Sequence, residues 1–254
     1  MVGIVLTTLF GLLVGCGSTA TSAKPPGTPT VHDFSGLPTV GALYRPGSKD
    51  HTCTASVVAS KKGNILLTAA HCIAGTGHGY TFTPGSHGGI QPFGSWTVLA
   101  AYGTPDWVAR QAPQSDFAFL VVAARQVNGQ GQEIQDLTGA NQLAAAPTAG
   151  VSVTVPGYPN GHNDPVTCSG PVYYDSGYPT FNCDQYVDGT SGGPWLVTGG
   201  QGLLVTGVLG GLHQGGCSWA VYSPAFGAAT MIAYANAAAG VNESTFPKAG
   251  SSSC

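Results

Sequence analysis

The sequence predicts an all-β domain of a secreted protein, and three observations carry that expectation. Only 7% of the 254 residues are charged, while 39 are glycine and 18 proline, a composition rich in turns and poor in helix formers. Short apolar runs recur from Gly36 onward, separated by Gly, Pro, Asp and Asn. Seven cysteines are many for a chain kept in a reducing compartment. With leader and tail set aside, roughly 200 residues remain, enough for one domain with a sizeable core or for two small fused barrels. A net charge of −3 provides no basic footprint, so nucleic acid is not an expected partner.

Residues 2–14 are apolar or small and uncharged, too short a run to span a bilayer and similar to the core of a signal peptide, although no Lys or Arg precedes it. It ends in Leu13-Val14-Gly15-Cys16, which resembles a bacterial lipobox. On that reading residues 1–15 are removed and Cys16 is lipidated; the alternative is an ordinary secretory signal. Either way the protein is expected outside the cell or on the outer face of a bacterial membrane, touching lipid only through that anchor. Residues 16–35, rich in Ser, Thr, Pro and Gly, read as a flexible tether.

Strands are expected at 39–44, 53–58, 64–69, 96–101 and 117–123 in the first half, and at 151–155, 171–174, 194–197 and 203–209 in the second. Residues 124–149, polar and then Ala-rich, connect the halves. The Ala-rich segment 223–239, stopped by Gly240, reads as a helix packed on the second half. Residues 241–254 form a polar tail. No repeat of 20–50 residues is visible.

Two motifs carry chemistry. Leu67-Thr-Ala-Ala-His71-Cys72 presents a histidine, and Gly189-Thr-Ser191-Gly-Gly-Pro194 a serine among glycines. A serine hydroxyl is a poor nucleophile unless a neighbouring base removes its proton during attack. An imidazole changes charge near neutral pH and suits that task. In this order and context the two motifs resemble those of the trypsin-like (chymotrypsin-fold) serine protease superfamily. The resemblance covers about 36–240 and is nearest to the bacterial secreted branch of streptogrisin-like and glutamyl-endopeptidase-like enzymes.

That resemblance implies two six-stranded antiparallel Greek-key β-barrels, at about 36–125 and 146–225, with a short C-terminal helix at about 225–240. It implies a serine endopeptidase acting on a peptide or protein substrate, monomeric, with no cofactor and no metal. His71 would be the general base and Ser191 the nucleophile. Asp116, in Gln114-Ser-Asp-Phe-Ala-Phe-Leu120, resembles the family's acid ahead of an apolar strand and would hold the imidazole tautomer. The N–H groups of Gly189 and Ser191 would form an oxyanion hole, each donor contributing about 3–4 kcal/mol in comparable enzymes. Cys72 would pair with Cys53, and Cys168 with Cys183, leaving Cys217 and Cys254; the rival pairing Cys183–Cys217 would mimic the pocket disulfide of other members.

The chain also departs from the family. Animal members place an aspartate just before the serine, where it receives a new N-terminal ammonium; here Thr190 stands there, and no Ile-Val-Gly-Gly start is present. Activation by that ion pair is therefore not expected. Gly210 falls where many members have a serine touching the catalytic aspartate, so Asp116 is expected to lose one hydrogen bond. By spacing, the substrate pocket is assigned to Asp184 or Gln185 at its base and to Leu209, Gly210 and Gly211 along its wall. A carboxylate at the base would favour Lys or Arg side chains. His213, in a stretch Gly211-Leu-His-Gln-Gly-Gly216 that superficially resembles the histidine strand of glutamyl endopeptidases, is read as an exposed loop histidine just beyond the pocket, with a role in recognising Glu as the alternative.

Two other classes fit less well. Gly189-x-Ser191-x-Gly193 matches the nucleophile elbow of α/β-hydrolase esterases, but that fold needs the order Ser, acid, His. Here only His213 and then Glu243 follow the serine. A protease fold kept only for binding would be favoured by loss of a triad member, and all three are present.

Overall fold

A computed structural model describes residues 23–127 and 129–250. The apolar leader, Cys16 and Cys254 lie outside the described residues. The fold is predominantly β, as expected, in two halves. Strands Val40–Tyr44, His51–Val58, Ile65–Thr68, Ala118–Val122, Trp96–Tyr102 and Thr81–Pro84 close, in that order, into a six-stranded antiparallel barrel. Thr81–Pro84 closes the barrel without an apolar run to announce it.

Several of these strands are buried on both faces, which explains their continuous apolar character. Leu66 points into the barrel core with Ala55, Val57 and Leu120, whereas Ile65 and Leu67 join a second cluster with Tyr158, Leu196 and Val208. That second cluster cements the first barrel to the second half. Burying each such Leu or Ile side chain contributes about 1.5–3 kcal/mol.

The second half is built from two sheets. One has six strands, in the order His32–Asp33, Val166–Pro171, Ser152–Gly157, Pro194–Gly199, Gly202–Val208 and Gln142–Leu143, the last pair parallel. The other has four: Tyr173–Asp175, Tyr178–Asn182, Ala220–Tyr222 and Gly216–Cys217. Trp195, Phe181, Val153, Val155 and Leu209 fill the space between them. Phe181 and Trp195 meet edge to face with ring centroids 5.1 Å apart.

Both chain ends depart from expectation. The tether expected through residue 35 is docked from Pro29 onward. Asp184 N–H donates to the Pro29 carbonyl, Val31 N–H to that of Asp184, and His32–Asp33 pairs with Val166 and Thr167. Backbone groups alone make this edge pairing, so polar side chains are no obstacle to it. Lys24 adds an ion pair to Asp184, 2.7 Å, which lowers the carboxyl pKa.

The C-terminal helix, Ala228–Ala239, lies not on the second half but across the first barrel. Its Ala233 and Ala237 pack in the same cluster as Phe117 and Phe119, and Tyr234 donates to the Ala59 carbonyl at 2.7 Å. The tail continues onto that barrel: Phe246 exchanges backbone hydrogen bonds with Gly75 and enters the barrel core. Small alanines let the helix approach closely, and one aromatic anchors an otherwise polar tail.

Burial raises the phenol pKa of Tyr158 and Tyr186, and that of Tyr222 to about 12, where Asp175, which accepts the Tyr222 hydroxyl, adds to the effect. The folded state therefore favours neutral phenols. In the unfolded chain phenols ionise near pH ~10, so this stabilisation is complete below that pH and is lost progressively as pH rises from there through the folded-state value, about 12 for Tyr222. The Tm is expected to fall from about pH 10 upward; a Tm unchanged through strongly alkaline solution would contradict this.

Candidate active site

His71 sits in a single 3-10 turn, Ala70–Cys72, directly after strand Ile65–Thr68. The Cys53–Cys72 disulfide pins that turn to the neighbouring strand. Asp116 ends another short turn, Pro113–Ser115, just before Ala118–Val122. Because these two strands pair within the barrel, the turns at their ends bring the two side chains together. His71 Nδ1 donates to Asp116 Oδ2 at 2.7 Å, and the His71 backbone N–H donates to Oδ1 at 2.9 Å. Asp116 is fully buried. With the proton on Nδ1, Nε2 is left with its lone pair.

The glycine expected to deprive Asp116 of a partner is in register. A Cβ on Gly210 would lie 3.1 Å from Asp116 Oδ2. The hydrogen bond is nevertheless replaced: the Gly211 N–H donates to Oδ2 at 2.8 Å. Gly211 has φ +84°, a conformation that favours glycine. The carboxylate thus keeps three N–H donors.

Ser191 belongs to the second half and follows by two positions the left-handed Gly189. The Asp188 carbonyl accepts from Asn160 N–H at 2.7 Å, and in a trans peptide the next N–H, that of Gly189, points the opposite way. The Thr190 carbonyl accepts from Gly193 N–H at 3.0 Å, which likewise turns out the Ser191 N–H. Among the described residues neither N–H finds an acceptor within the protein. Gly189 has φ +95°, and a Cβ there would lie 2.4 Å from Asn160 N. The serine turn meets the histidine turn: Thr54 N–H donates to the Ser191 carbonyl at 2.8 Å, and Cys72 Sγ lies 3.8 Å from that oxygen.

Thr190 is buried and donates to the Val187 carbonyl at 2.7 Å, so local bonding occupies the position where animal members carry an aspartate. Cys168–Cys183 forms as expected, which excludes the rival Cys183–Cys217. Cys217 is itself in a disulfide, and its expected partner Cys254 lies outside the described residues. Cys53, Cys72 and His71 cluster closely, but both sulfurs are committed to their mutual bond.

A cavity of about 160 Å³ opens beside Ser191, walled by Tyr186, Val187, Leu209, Gly216 and Val221. Of the residues assigned to the pocket by spacing, Leu209 lines it. Asp184 and Gln185 do not: Asp184 is engaged by Lys24, and Gln185 is exposed at φ +71°. Gly210 and Gly211 face Asp116 instead. His213 is not an exposed loop residue but a half-buried part of the cavity wall, edge-on to Tyr222 with centroids 6.2 Å apart. The reason is the left-handed pair His213 and Gln214, which folds the turn Leu212–Gly215 back onto Leu209.

A buried carboxylate orients the imidazole, and the turn carrying it lies against the turn carrying the serine. The family of trypsin-like peptidase domains matches residues 53–207, and the chain belongs to it. Protease Anisep from Arthrobacter nicotinovorans is 25% identical with a TM-score of 0.70, over 83% of this chain and 100% of that one. The thermostable serine protease AL20 from an extremophilic microorganism is 23% identical (TM-score 0.67, 80% of this chain and 97% of that one). A Glu endopeptidase is 19% identical (TM-score 0.66, 84% and 98%). These two share the fold. No curated protein sequence matches the chain significantly.

Proposed function

We propose that this chain is a serine endopeptidase working outside the cytoplasm, with His71, Asp116 and Ser191 as its triad. The observation that carries the reading is the Nδ1–H bond from His71 to the buried Asp116, which leaves Nε2 as the basic nitrogen beside the serine turn. Ser191 Oγ attacks the scissile carbonyl carbon while its proton passes to His71 Nε2. The carbonyl π pair moves onto oxygen, and the N–H groups of Gly189 and Ser191 receive that oxyanion. Collapse breaks the C–N bond, with the proton going from Nε2 to the leaving amine. Water then attacks the acyl ester, giving its proton to Nε2; the proton returns to Ser191 Oγ as the acid departs.

Extracellular residence is supported by the two disulfides. Attachment through a lipid on Cys16 is the finer form of that proposal. Asp184, held by Lys24, does not line the cavity; among the described residues the acidic one that does is Asp188.

A fluorophosphonate probe tests the reading. Covalent labelling of the folded protein is expected, with mass mapping placing the adduct on Ser191. Folded protein that stays unlabelled would overturn the proposal.

A further inference from the structure

Thr54 lies in the first barrel, fully buried, yet its polar atoms reach across to the second half. Its hydroxyl accepts the Tyr158 N–H at 2.8 Å and donates to the Gly189 carbonyl at 3.0 Å. Its backbone N–H donates to the Ser191 carbonyl at 2.8 Å, and its own carbonyl accepts the Thr68 hydroxyl at 2.7 Å. The peptide after each outward-facing amide is therefore held by Thr54. The peptide before Gly189 is held by Asn160, two residues beyond Tyr158 in the same turn. One hydroxyl thus joins the turn at 158–160 to the Gly189 carbonyl, while Asn160 fixes that residue from its other side.

We propose that Thr54 is a positioning residue for the oxyanion hole: its hydroxyl fixes the 189–190 peptide directly, and the 188–189 peptide that carries the Gly189 N–H through the turn bearing Tyr158 and Asn160. The inference rests on the hydrolase reading above. Thr54 touches neither substrate nor nucleophile oxygen; it acts through two backbone carbonyls. Without the hydroxyl, the Gly189 carbonyl and the Tyr158 N–H both lose their partner. Glycine's wide conformational range then lets the two peptides flanking Gly189 shift about its Cα as the turn bearing Asn160 loosens, and a donor displaced from the oxyanion loses most of its effect on the transition state while ground-state binding is little changed.

The test compares wild type, Thr54→Val and Thr54→Ser on p-nitrophenyl acetate, whose small acyl group makes no demand on the cavity, with fluorophosphonate labelling and Tm alongside. Thr54→Val, nearly the same shape without the hydroxyl, is expected to lower kcat about ten- to a hundredfold and to slow labelling in parallel, with KM within about threefold. Thr54→Ser is expected to recover kcat to within about threefold of wild type. A merely structural role predicts that a folded Thr54→Val keeps its kcat, and a kcat within about twofold of wild type overturns the proposal. If Thr54→Val does not fold, Thr54→Ala is read against Thr54→Ser by the same criteria. Wild type that no fluorophosphonate labels overturns the hydrolase reading and this role with it, whereas labelled wild type with an unimpaired Thr54→Val overturns the role alone.

Discussion

Ser191→Ala is expected to lower kcat for peptide hydrolysis by about six orders of magnitude, leaving roughly a 10³–10⁴-fold advantage over water from the oxyanion donors and substrate binding. The donors survive because they are backbone N–H groups fixed by Asn160 and Gly193, not by the serine side chain. His71→Ala is expected to fall nearly as far, and the double variant no further. The base has nothing to activate without the hydroxyl, and the hydroxyl is inert without the base, so the two act as one unit. The Ser191 side chain has no hydrogen-bond partner among the described residues, so the Tm of Ser191→Ala should stay close to that of wild type. Single-turnover and steady-state assays on a labelled peptide library read all three variants. Losses that add in the double variant, or a Ser191→Ala enzyme within tenfold of wild type, would remove the serine from the mechanism.

Asp116→Asn is expected to reduce kcat by about 10⁴-fold and also to lower stability. Three N–H groups point at this carboxylate, two of them at Oδ2. An asparagine has one acceptor oxygen, so its NH₂ must face a donor. With the NH₂ in place of Oδ2, it opposes the Gly211 N–H and forces His71 Nδ1 to accept. The ring proton then sits on Nε2, where the imidazole can no longer take a proton from serine. With the NH₂ in place of Oδ1, it opposes the His71 backbone N–H. Either orientation leaves a buried donor without a partner, at about 1–3 kcal/mol. The expected signature is a kcat loss joined to a lower Tm. A variant that retains both kcat and Tm would show that the His71–Asp116 bond neither sets the tautomer nor supports the fold.

His71, Asp116 and Ser191, the proposed triad, are legible because each lies in a short stretch whose letters are constrained by local geometry. The turn carrying His71 needs a cysteine to staple it, and the serine turn needs glycines at left-handed or crowded positions. The pocket was not legible for the opposite reason. Spacing before Ser191 points to Asp184 and Gln185, but Asp184 is bound by a segment some 160 residues away, through Lys24 and the backbone of Pro29 and Val31. His213 reached the wall through two non-glycine residues at positive φ, which no side-chain pattern announces. The replacement of a serine contact by the Gly211 amide was likewise hidden, since a backbone donor leaves no trace in residue identity. Strand His32–Asp33 and the docking of Phe246 depended on distant partners and not on periodicity.

The route of the two chain ends has a consequence for how the molecule comes apart. The segment preceding the first barrel is fastened to the second half through Asp184, Pro165 and Thr167, and the segment following the second half is fastened to the first barrel through Tyr234 and Phe246. Each half therefore holds the other's loose end. Neither barrel can open without releasing an arm that belongs to its neighbour, which couples their melting into one event. The junction between the halves is thus held by crossed arms as well as by the apolar seam.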